Sequence, residues 1–169
     1  MSQKKVDRGI YPEKIDPSAF IAETATVMGD VTVGRESSIW YGAVVRGDTA
    51  PITIGQRTNI QDGCIVHVAA GQPTTIGDGV TMGHGAIVHG VTIGHNVIVA
   101  VRAVVLDGAV VGENSIIGAG SVVTEGTVIP PNSLVLGVPG RVVRPVSQEQ
   151  TERIRSSARN YVQYSRTYM

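Results

Sequence analysis

The chain has 169 residues, with 14 basic and 14 acidic side chains and no formal net charge at pH 7. That balance leaves no basic surface for nucleic acid. No apolar run is long enough for a membrane-spanning helix, and a single cysteine, Cys64, excludes an internal disulfide.

The first residues, Met-Ser-Gln-Lys-Lys, lead into no apolar stretch, so no signal peptide is evident and a cytoplasmic protein is expected. From residue 15 a six-residue period takes over. Aliphatic side chains fall at Ile15, Ile21, Val27, Val33, Ile39 and Val45. The count resumes at Ile54, Ile60 and Val66, then at Ile76, Met82 and Val88, and finally runs from Ile93 through Val99, Val105, Val111, Ile117, Val123 and Ile129 to Val135. Small residues such as Ala43, Cys64, Ala86 and Ala103 follow four positions later, and Gly often follows directly, as at Gly34, Gly55, Gly77, Gly94 and Gly112.

Apolar residues do not recur at three and four, which excludes an amphipathic helix. A hexapeptide period indicates a β-helix, each repeat being a short strand and a corner, with stacked coils burying one aliphatic core. Gly at the corners is expected to accept unusual dihedrals. Cys64 falls at a small inward position, which makes it core rather than nucleophile. The handedness does not follow from the spacing.

The tail differs. Pro130, Pro131, Pro139 and Pro145 punctuate the end of the repeats, and Ser147 with Gln150 resembles a capping box. Ile154, Ala158, Tyr161, Val162 and Ser165 follow helical spacing, which predicts one helix from about Gln148 to Arg166. The expected organisation is a β-helix domain over 1–146 and a helix over 147–169 packed on it.

Three of the four histidines sit inside the repeats. Val45, Val66 and Val88 occupy one face of successive coils, so Arg46, His67 and His89 should stack on its outer edge, about 4.8 Å apart. His84, two residues after Met82, belongs to another face. His67 and His89 could share one ion, and a neighbouring subunit could bring His84 to it. The period breaks only near these residues: nine positions from Val45 to Ile54, ten from Val66 to Ile76 and five from Val88 to Ile93. Interruptions beside ionisable residues read as functional loops on a rigid scaffold.

Arg46-Gly47-Asp48, Asn59-Ile60-Gln61-Asp62-Gly63, His67 and His84-Gly85-Ala86-Ile87-Val88-His89-Gly90 together resemble the gamma-class carbonic anhydrase family. The resemblance implies an all-β fold, a left-handed parallel β-helix of hexapeptide repeats with a C-terminal α-helix, assembled as a homotrimer. It implies reversible hydration of carbon dioxide to bicarbonate by a metal-bound hydroxide at the trimer interface. His67 and His89 would hold the metal from one chain and His84 from the next. Gln61 would act on the metal-bound water with support from Asn59, and Arg46, Asp48 and Asp62 would form ion pairs at the interface. Tyr161 would point toward the site, with Gln163 near an asparagine that some members carry. Zinc suits three imidazoles with one open position; Fe2+ or Co2+ would also accept them.

The chain departs from the family pattern in three places. Thr49 stands where active members carry glutamate. The loop Val68 to Thr75 has no carboxylate to export protons. Val99-Ala100-Val101-Arg102 replaces Ile-Gly-Met-Gly. Other readings are an acyltransferase or thioesterase using coenzyme A esters, or a non-catalytic trimeric scaffold.

Overall fold

The computed structural model describes residues 9–169. The leader reading at Met1 to Lys5 lies outside the described residues.

The repeats wind into a parallel β-helix with three faces. The first face stacks Val33, Ile54, Ile76, Ile93, Val111 and Ile129. The second stacks Ile21, Ile39, Ile60, Met82, Val99, Ile117 and Val135. The third stacks Val27, Val45, Val66, Val88, Val105 and Val123, so the coil makes about six turns. Successive residues of a strand point to opposite sides, which is why one aliphatic position per hexapeptide is enough. From Val31 to Val135 these columns form one core, and most of their side chains are fully buried. Each contributes about 1.5–3 kcal/mol by leaving water. Cys64 is part of that core; burial pushes its thiol up to about 11, and its sulfur donates to the Gly83 carbonyl at 3.2 Å. It is packing material, as its repeat position indicates.

The glycines after the aliphatic positions serve a different purpose from the one expected. Gly34, Gly55, Gly77, Gly94 and Gly112 have no left-handed φ. They are needed because the next coil passes close beneath: a Cβ at Gly77 would lie 2.8 Å from the carbonyl of Gly94, and one at Gly34 would lie 2.7 Å from that of Gly55. Left-handed backbone occurs at other corners, among them Gly63, Gly85, Arg102 and Gly120.

The interruptions are absorbed without breaking the stack. Strand Val44–Ile54 runs through the first one. Its Val44 and Val45 pair with Ile65 and Val66, and its Ile52 to Ile54 pair with Thr74 to Ile76. One strand therefore serves two faces, turning a corner at Arg46 to Ala50. The second interruption is a loop closed by a bridge between Ala69 and Gln72.

The helix spans Gln148–Arg166. Ser147 Oγ accepts the Gln150 amide at 3.2 Å, and the Gln150 side chain accepts the Ser147 amide at 3.0 Å, so the capping box is complete. Ile154, Ala158 and Ser165 are its buried residues. Ile154 packs on Ile116 and Leu134, and Ser157 accepts from Thr81 Oγ1 at 3.1 Å, which seats the helix on the second face. No helix among the described residues is long and apolar enough to cross a membrane.

Among the described residues the third face has no such cover. Its outward positions are Val44, Ile65, Ile87, Val104 and Val122, in direct register, so an unbroken stripe of β-branched side chains faces outward. Ile65 is 41% exposed and the other four are half-buried. The stripe runs beside His67 and His89.

Candidate metal centre

Val66 and Val88 point into the core, so the next residues, His67 and His89, point out. They are register partners at the ends of strands Ile65–His67 and Ile87–His89. Their rings lie 4.9 Å apart, and His67 Nδ1 faces His89 Nε2 at 3.0 Å. The other nitrogen of each ring meets a carboxylate. His67 Nε2 is 3.0 Å from Asp48 Oδ1, and His89 Nδ1 contacts Asp107 Oδ1.

An ionised aspartate only accepts, so each carboxylate keeps a proton on the ring nitrogen it faces. The two nitrogens that face each other are then bare lone pairs. Lone pairs at 3.0 Å repel unless a cation, proton or metal, sits between them. Two imidazoles braced from behind by carboxylates are the usual surroundings of a bound transition metal. The donor set fits zinc or a similar ion.

Asp48 is buried and also pairs with Arg46. Burial pushes its carboxyl up, but hydrogen bonds from His67 and Arg46 and their charges outweigh this and hold it below the ordinary range.

His84 lies elsewhere. It is exposed on the corner after the second face, where its Nδ1 is 2.9 Å from Asp62 Oδ2. Among the described residues no group of three or more metal-binding side chains converges within one chain.

Gln61 and Asn59 belong to the second face. Gln61 Nε2 donates to Asn59 Oδ1 at 3.0 Å, and Asn59 Nδ2 donates to Thr81 Oγ1 at 2.9 Å. This buried ladder ends at Ser157 of the helix. Tyr161 packs its ring edge on Trp40, with centroids 5.4 Å apart. Burial first, then the charge of Asp62, pushes its hydroxyl up, and the two side chains line the same cleft. Gln163 is exposed.

The expected residues thus fall into two groups on one chain. Arg46, Asp48, His67 and His89 gather on the third face; Asn59, Gln61, Asp62, His84 and Tyr161 gather on the second.

Sequence reasoning missed three features. Asp107 follows His89 by eighteen residues, one full coil of three hexapeptides, and that count could have found it. Thr74 is fully buried; its hydroxyl donates to the His67 carbonyl at 2.6 Å and accepts the Gly90 amide at 3.0 Å, tying the loop to both histidine strands. No local pattern marks it. Phe20, Trp40, Tyr41, Tyr161, Tyr164 and Tyr168 form a chain of ring contacts. Five of them, with Asp62 and Thr167, line a cleft of about 360 Å³.

Comparison with known proteins agrees with this architecture. Bacterial transferase hexapeptide (six repeats) matches residues 90–125, and the hexapeptide repeat of succinyl-transferase matches residues 73–100. A Methanocaldococcus jannaschii protein named "Probable carbonic anhydrase" is 57% identical over 153 residues, covering 90% of this chain and 96% of its own. Gamma carbonic anhydrase 1, mitochondrial, of Arabidopsis thaliana is 41% identical over 87% of this chain and 56% of its own length. The crystal structure of a hexapeptide transferase family protein from Anaplasma phagocytophilum superposes with a TM-score of 0.89, at 41% identity and 92% coverage of both chains. A relative this similar, matched over nearly all of both chains, places the chain in the gamma-class carbonic anhydrase family of hexapeptide-repeat proteins.

Proposed function

We propose that the protein is a metal-dependent carbonic anhydrase, hydrating carbon dioxide reversibly to bicarbonate at a site completed between subunits of a homotrimer. The observation that carries this reading is the His67–His89 pair, whose facing nitrogens are 3.0 Å apart and whose outer nitrogens are held by aspartates. His84 stands on another face with its own aspartate, so we assign it as the third ligand, given to the site of a neighbouring chain. The aliphatic stripe beside His67 and His89 supports association there.

Zinc is the expected ion, with Fe2+ or Co2+ as alternatives; when bound it supplies Lewis acidity and yields a nucleophile from water near neutral pH. The chain's own residues do the rest. Asp48 and Asp62 fix which ring nitrogens carry protons on His67 and His84. Gln61, braced by Asn59, orients the reacting water. Arg46 holds Asp48 in place, and Tyr161 lines the approach beside Asp62. The loop Val68 to Thr75 contributes no carboxylate, so proton export sets a low ceiling on turnover.

The test is stopped-flow carbon dioxide hydration on protein purified without air or chelators, with metal content measured on the same sample. Activity should track metal stoichiometry and vanish in His67→Ala. A fully metallated trimer without hydration activity would sink the reading. A solved structure named "putative acetyltransferase", 42% identical with a TM-score of 0.90, favours one alternative, acyl transfer, for which we take a coenzyme A ester as donor. Turnover of such an ester by metal-free protein would establish it instead.

A further inference from the structure

We infer that Asp107 is the positioning residue of His89, a role no part of the family resemblance assigns to it; the inference rests on the metal reading above. Its carboxylate contacts His89 Nδ1. That contact keeps the proton on Nδ1 and leaves the Nε2 lone pair facing His67. It also restrains the ring's rotation, with Nε2 held 3.0 Å from His67 Nδ1 on the preceding coil.

Three features bring the carboxylate to the ring. Asp107 lies one coil beyond His89, at the corner leaving the third face. Its backbone is anchored on both sides: the Gly108 amide donates to the Gly90 carbonyl at 2.8 Å, and the Gly126 amide donates to the Asp107 carbonyl at 2.8 Å. Gly90 supplies the space. A Cβ there would lie 3.3 Å from Asp107 Oδ1, and equally close to Ala69 Cβ and Gln72 Oε1. The bare Cα after His89 lets the carboxylate in.

The arrangement completes a set. Asp48 serves His67, Asp62 serves His84 and Asp107 serves His89, one carboxylate for each candidate ligand. A purely structural ion pair explains Asp107 poorly. The side chains of His89 and Asp107 are 34% and 40% exposed, and pairs so open to water add little to stability.

The experiment compares wild type, Asp107→Ala and Asp107→Asn. In metal-stripped protein, the tautomer of His89 is read from long-range 15N–1H correlation spectra. Zn2+ affinity is read by competition with a chromophoric chelator. Asp107→Ala should lose the Nδ1–H form of His89 and weaken Zn2+ binding by about 10–100-fold, with an unchanged thermal midpoint without metal. Asp107→Asn, whose amide oxygen still accepts from Nδ1–H, should keep the tautomer and most of the affinity. An unchanged His89 tautomer in Asp107→Ala overturns the inference, as does a fall in the metal-free thermal midpoint that accounts for the lost affinity. A tautomer change in protein that binds no Zn2+ even as wild type would support the positioning role while sinking the metal reading.

Discussion

Arg102 shows how much one residue's backbone can hide from its sequence. It stands in a corner column with Gly63, Gly85 and Gly120, all with left-handed φ, and its own φ is 55°. Its amide still donates to the His84 carbonyl at 3.0 Å, so it holds the turn that glycine holds in the neighbouring coils. A side chain in that conformation costs about 1 kcal/mol. Arg102→Gly should therefore raise the thermal midpoint by about 2–4 °C, read by calorimetry; a lower midpoint would mean the arginine makes a compensating contact. At this scale the stacking of His67 on His89 was legible, because counting sixes places both after inward valines. Asp107 and Arg102 were not, because the count gives a residue's face but neither its φ nor the reach of its side chain across a corner.

The same limit applies to the repeat itself. Spacing alone foretold strands, columns and the capped helix at Gln148–Arg166. It did not give the reason for the glycines, which lies between coils. Parallel coils about 4.8 Å apart leave no room for a Cβ where two backbones pass at a corner. Gly77→Ala would put a methyl 2.8 Å from Gly94 C and O, both main-chain atoms that cannot swing aside. The substitution should cost about 1–3 kcal/mol. Ala at Gly63, where nothing lies within 4 Å of a Cβ, should cost only its left-handed φ of 66°. Denaturant midpoints of the two variants separate crowding from dihedral strain, and equal losses would count against the crowding account.

For the whole molecule, the two groups of site residues on different faces of one chain matter most. His67 and His89 lie on the third face and His84 beyond the second. Under the proposed function these are two halves of a site that only a second copy closes, and such a meeting is not written in one chain's repeat. The aliphatic stripe of Val44, Ile65, Ile87, Val104 and Val122 is the surface most suited to bring a second copy there, since the second face is already covered by the helix. Ile65, second of the five, is exposed and outward, so a charge there disturbs association rather than the coil's core. Ile65→Lys should sediment as a monomer with an unchanged β-sheet circular dichroism spectrum. It should also lose metal and hydration activity, although all three histidines and their aspartates remain. A variant that stays trimeric would show that the copies meet on another face. A monomer that keeps full metal occupancy would place the ion within one chain, on His67 and His89 alone, and leave His84 without its assigned role.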